Sequence, residues 1–136
     1  MTLYQSFRNY LEKKGVSIDQ NSEQGNMLLF KYESLSYVFY FDFHYPHYFR
    51  LMLPYISSYQ NIDENALNKN ALELSGEYKV AKLFIVENRL WASFEQLILD
   101  PDVDNTEIFE TGMRILYYIY QSISKFVEES KSNSNT

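Results

Sequence analysis

Cysteine is missing from this chain, and histidine (two), proline (three) and glycine (four) are scarce among its 136 residues. Without cysteine there is no disulfide framework and no thiol nucleophile, a usage that suits a reducing compartment. So few glycines leave no loop able to cradle a phosphate on backbone N–H groups. Positive charge is also thin. The formal net charge is −6, and the densest basic cluster is Lys13-Lys14, beside Glu12. A phosphate backbone demands a basic footprint, so no nucleic-acid partner is expected. An anionic membrane surface is disfavoured for the same reason. No apolar run approaches the ~20 residues that span a bilayer, and residues 1–14 alternate polar with apolar instead of forming a signal-peptide core. The expected location is the cytoplasm, with no membrane partner.

Aromatic rings take up the space. The chain carries 13 Tyr, 10 Phe and 1 Trp, most densely between Phe30 and Tyr59. Rings build cores and adhesive surfaces, but they perform no acid–base or nucleophilic chemistry unaided. At 46% hydrophobic and 22% charged the composition is that of a globular domain. A chain of this length buries roughly two-thirds of its unfolded surface and needs no metal or disulfide to fold. Residues 1–129 therefore read as a single domain, and 130–136 as a frayed polar tail.

Leu3, Phe7, Tyr10 and Leu11 follow helical spacing, with Thr2 as a cap and Gly15 as a left-handed stop. After a polar loop, residues 27–32 form a strand and Glu33-Ser34 a turn. Residues 35–43 form a second strand, with Tyr37, Phe39, Phe41 and Phe43 on one face and Val38, Tyr40 and Asp42 on the other. His44-Tyr45-Pro46-His47 turns the chain into a third strand, 48–53, closed by Pro54. Links this short make the three strands an antiparallel meander. Asn61 and Glu64 mark the start of a second helix that stops at Ser75-Gly76. Residues 80–86 and 90–99 make a further hairpin. Asp104 and Glu107 match a capping box for a third helix, 105–129, with a broad apolar stripe. The economical packing of this order is an α+β fold: a five-stranded antiparallel sheet with helices on one face.

The order, together with the aromatic strand pair 28–43, Tyr48-Phe49-Arg50-Leu51-Met52-Leu53, Asn65-Ala66-Leu67-Asn68-Lys69-Asn70, the 79–91 hairpin and the long closing helix, resembles the type III secretion chaperone-like superfamily, including its YbjN-like group. The resemblance implies an α-β-β-β-α-β-β-α domain, commonly a dimer, with no catalytic residues. Chaperones of this shape hold an unfolded stretch of a secreted partner. The two histidines of the turn depart from the family, which more usually has acidic and small residues there.

Few residue clusters carry chemistry. Asp42, His44 and His47 have metal-ligand residue types, set against the plainer reading of a polar turn. Asp100, Asp102 and Asp104 alternate like a calcium loop, but Asn105 stands where the sharp-turn glycine belongs and Thr111 where the bidentate Glu belongs. No serine sits in a glycine-flanked elbow. The expectation is a non-enzymatic protein-binding domain without cofactor, paired as a homodimer and gripping a peptide segment through an aromatic sheet face or edge. Its candidate contacts are Tyr32, Tyr37, Tyr40, Tyr48, Asn68 and Asn70. The alternative is a small-ligand or metal-binding domain built on Asp42, His44 and His47.

Overall fold

Eight elements follow one another in the computed structural model, which describes residues 1–19, 26–58, 64–77, 81–87 and 89–134. They are α1 (Leu3–Lys14), β1 (Met27–Tyr32), β2 (Leu35–Phe41), β3 (Tyr48–Ser58), α2 (Glu64–Glu77), β4 (Ala81–Val86), β5 (Arg89–Leu97) and α3 (Thr106–Ser134). The strands form one antiparallel sheet in the order β1-β2-β3-β5-β4. The expected α+β fold, with helices against one face of a five-stranded antiparallel sheet, is the fold observed.

Local sequence fixes the first helix at both ends. The Thr2 hydroxyl accepts from the Gln5 backbone at 3.1 Å, and the Gln5 side chain accepts from the Thr2 backbone at 3.0 Å. This is a reciprocal capping box that satisfies two of the helix's orphan donors. Gly15 ends the helix at φ 77°, a conformation glycine adopts without steric cost. Between β1 and β2, Glu33 and Ser34 both take positive φ (50° and 68°) so that Tyr32 can pair with Leu35. A two-residue hairpin demands that geometry, and neither residue is one that favours it.

The core lies between the sheet and helices α1 and α3. Phe7 of α1 stacks on Phe39 of β2 with centroids 4.2 Å apart, and meets Phe109 of α3 edge-on at 5.0 Å. Phe49 in turn contacts Phe39, Phe94 and Phe109, so one ring cluster ties α1, β2, β3, β5 and α3 together. Leu116, Ile119 and Ile123 continue the buried stripe of α3. Tyr10 and Lys14 of α1 both bond the Glu110 carboxylate of α3, the Tyr10 bond at 2.6 Å. Burial, then the bond and charge of Glu110, push the Tyr10 phenol well above its ordinary value.

Several boundaries differ from the sequence reading. Strand β2 ends at Phe41, because the Asp42 carboxylate accepts the His44 N–H at 2.9 Å and its carbonyl accepts the Tyr45 N–H at 3.0 Å. Phe43 therefore leaves the inner face and is 65% exposed. Strand β3 does not stop at Pro54 but runs on to Ser58, with its register against β5 shifting between Leu53 and Ser57. A residue without an N–H is tolerated where the ladder is already interrupted. Helix α3 continues to Ser134, past the 129 expected. Its start also differs from the expected capping box. Asn105 donates to the Asp100 and Val103 carbonyls, both at 3.1 Å, while Asp104 accepts from Thr106 at 3.0 Å. The expected cap of α2, Asn61, lies outside the described residues.

Candidate interaction face

Strand pairing decides which side chains share the face turned away from the helices. Alternate residues of a strand point to opposite sides, and paired residues point to the same side. Phe39, Leu51 and Phe94 pair across three strands and are buried beneath the helices. The other parity places Tyr40, Arg50 and Glu95 in one row, and Val38, Met52, Ser93 and Lys82 in the next. Tyr48 pairs with Leu97 towards the β2–β3 turn, and Trp91 with Phe84 towards the other end. Helices α1 and α3, whose rings meet Phe39 and Phe49, lie on the opposite side. Tyr40, Tyr48, Met52, Val38, Trp91 and Phe84 are half-buried there.

A groove of about 850 Å³ opens on this face beside the β2–β3 turn. Tyr40, Tyr45 and Tyr48 wall it, Met52 and Leu97 supply apolar surface, and Arg50 borders it. The Arg50 Nε donates to the Tyr48 hydroxyl at 3.3 Å and lies 3.1 Å from the Glu95 carboxylate as an ion pair. Burial disfavours the guanidinium charge, but the Tyr48 bond and the Glu95 carboxylate outweigh it and raise its pKa. Burial also raises the Tyr48 phenol, so this ring is neutral and hydrogen-bonding at physiological pH.

Tyr40 and Tyr48 lie on this face, as the sequence suggested. Two other candidates do not. Tyr37 is 1% exposed and stacks on Phe30 at 5.4 Å, inside the core. Tyr32 shares the parity of Leu28 and Phe30, and it lies on the helix side with the Lys14 ammonium 5.0 Å from its ring centroid. Asn68 and Asn70 are half-buried on α2, which packs against α3 and β4, and neither borders the groove beside Tyr40 and Tyr48.

The turn residues Asp42, His44 and His47 do border the groove. They do not converge as ligands. Asp42 is engaged with its own turn, and His47 Nδ1 sits 3.1 Å from the Ile98 carbonyl oxygen as its donor. Among the described residues no three His, Cys, Asp or Glu side chains are placed to hold a metal ion. Likewise, no helix among them is long and apolar enough to cross a membrane.

Arg50, Met52, Leu97 and Tyr45 escaped the sequence reading of the site. Counting in twos from Tyr48 would have found Arg50 and Met52. Leu97 needed the β3–β5 pairing, which joins strands about 45 residues apart. The fold and face define an α+β sheet protein that carries α1 and α3 on one side of its sheet and a groove lined by Tyr40, Tyr48 and Met52 on the other. Set beside known proteins, the chain matches no protein-family model, and no curated protein matches it at a significant level.

Proposed function

We propose that this is a non-enzymatic protein-binding domain that holds a segment of a partner on the bare face of its sheet, in the manner of the secretion chaperone-like and YbjN-like proteins it resembles. The observation that carries this reading is the half-buried row of Tyr40, Tyr48, Met52, Val38, Trp91 and Phe84 on the side away from the helices. Aromatic and apolar surface of this kind, set around Arg50, suits an interaction site, and tyrosine fits it by combining large contact area with a polar tip and few rotors. Self-association has support from β4, the outermost strand on its side of the sheet, which leaves Ile85 47% and Val86 37% exposed. A cytoplasmic location belongs to the same proposal.

The groove also falls within the about 300–1,000 Å³ typical of small-molecule sites, which favours a small organic ligand as the second reading. The geometry of Asp42, His44 and His47 lends no support to the metal version of it.

Site-specific photocrosslinking separates these readings. A photoreactive phenylalanine in place of Tyr40 or Tyr48 should give a discrete protein adduct in cells. The same group at Tyr118, 47% exposed on α3, should not. Met52→Glu should abolish the Tyr48 adduct without lowering the melting temperature by more than a few degrees. Equal labelling from Tyr118, or no adduct from either face position, would rule the face out as the interaction site. Sedimentation across protein concentrations tests the dimer, and a monomer throughout would remove it.

A further inference from the structure

We propose that the face selects an acidic-apolar peptide: an extended segment whose carboxylate docks on Arg50 while neighbouring apolar side chains fill the hollows on either side. This specificity rests on the protein-binding reading above. Arg50 stands at the centre of the face, paired with Tyr40 on one side and Glu95 on the other. Of its five N–H donors, only that on Nε has an acceptor among the described residues. The remaining four form the planar fork that binds carboxylates in bidentate fashion.

Charge favours an anion here despite the acidity of the chain as a whole. Glu95 lies between Arg50, at 3.1 Å, and Lys82, at 3.7 Å, so the trio carries a net positive charge on a protein of net −6. Asp42, the carboxylate that borders the groove, sits at the turn with its oxygen on the His44 N–H. Its charge opposes an anion at that end and favours one on the Lys82 side.

Ser93 adds an independent observation. It lies between Met52 and Lys82 in the register, is 1% exposed, and its hydroxyl has no hydrogen-bond partner among the described residues. An unpartnered buried hydroxyl burdens the free protein, and an acceptor seated beside it relieves that burden. Ser93 lines the hollow it shares with Arg50 and Lys82, whose side chain is 70% exposed.

Arg50 also borders two hollows. The groove of about 850 Å³ lies towards the turn, and a second of about 470 Å³ lies towards Leu72 and Phe84. A small acid would use one of them. A peptide crossing both places its carboxylate at the guanidinium they share.

Fluorescence anisotropy on the full chain provides the test. The probes are a short labelled peptide alternating Glu with Leu and Phe, its Gln-for-Glu counterpart, and free hexanoate as competitor. The acidic peptide should bind about tenfold more tightly than the Gln form, the size expected of a charge-assisted fork. Arg50→Gln should erase that preference. Ser93→Ala should weaken the acidic peptide several-fold while leaving the melting temperature unchanged or higher, which a merely structural role would not produce. Equal binding of the two peptides overturns the carboxylate preference but leaves the interaction face intact. Failure of both peptides, in protein that still crosslinks from Tyr48, overturns it too. Displacement by hexanoate as effective as by unlabelled peptide transfers the site to a small acid and also overturns it.

Discussion

Gly112 offers the sharpest test of how α3 is seated on the sheet. A Cβ built there would lie 2.8, 3.0 and 3.2 Å from three ring atoms of Phe94, closer than side chains pack without movement. Phe94 cannot easily yield, being 1% exposed and in contact with Phe49. Alanine in place of a mid-helix glycine gains about 1 kcal/mol of helix propensity. Forcing an added methyl into a well-filled core costs about 1–3 kcal/mol. The clash therefore wins, and Gly112→Ala should destabilise the protein by about 1 kcal/mol, or a few degrees in melting temperature. Urea denaturation monitored at Trp91 measures the loss. Phe94→Leu supplies the control. Alone it should cost about 1 kcal/mol through its cavity, and combined with Gly112→Ala it should cost less than the sum by more than about 0.5 kcal/mol. A Gly112→Ala protein more stable than the parent, or strict additivity with Phe94→Leu, would refute the close approach and with it the placement of α3 over β5.

The α1–α3 tie should give stability a definite pH dependence. Burial pushes the Glu110 carboxyl up, but the Lys14 and Tyr10 bonds outweigh it and hold it below its usual value. Burial pulls Lys14 down, and its bonds to Glu110 and Tyr32 raise it overall. A depressed carboxyl stabilises above its unfolded pKa of about 4.3, and that contribution is lost as pH falls through the folded value; a raised lysine stabilises below its unfolded pKa of about 10.4, and its contribution is lost as pH rises through the folded value. Glu110→Gln should therefore cost about 1–2 kcal/mol at neutral pH, allowing for partial exposure, and the gap to the parent should close below about pH 4. A gap unchanged between pH 7 and pH 3 in chemical denaturation would refute the linkage. In the β1–β2 turn, Glu33→Asn with Ser34→Gly should add about 1 kcal/mol, because both positions have positive φ. Calorimetry showing no rise in melting temperature would count against that turn geometry.

Much of this fold is written in short-range signals. Strand β1 has the expected bounds, Met27–Tyr32, because its apolar run ends at a two-residue turn. Thr2 and Gly15 delimit α1 because capping is decided within four residues. The inner face of β2 was legible from the alternation of Tyr37, Phe39 and Phe41 with Val38 and Tyr40. Long-range pairing was not legible. The insertion of β5 between β3 and β4 brings Leu97 to Tyr48 and Glu95 to Arg50, and no local pattern encodes it. Phe43 and Pro54 misled for a related reason, since alternation and proline each speak for one strand while a turn or a bulge is settled by two. Tyr32 was a mistake of parity. Its even spacing from Leu28 and Phe30 already placed it with the core.

The two ring types divide the labour only in part, since Tyr10 and Tyr37 share the core with most of the phenylalanines and Phe84 lies on the outer face. Phe7, Phe30, Phe39, Phe41, Phe49, Phe94 and Phe109 fill the core, where an unpaired hydroxyl would be a cost. Tyr40, Tyr45 and Tyr48 wall the groove instead. Phenylalanine at those positions would give the same contact area with no group to satisfy water in the unbound state, and such a face tends to aggregate. Tyrosine keeps the area and offers its hydroxyl to water or to a neighbour, as Tyr48 does to Arg50. Hence a bare sheet face need not be a folding defect awaiting a third layer. With a guanidinium at its centre and phenols along its wall, it can stay hydrated when empty and still bury apolar side chains when a partner arrives.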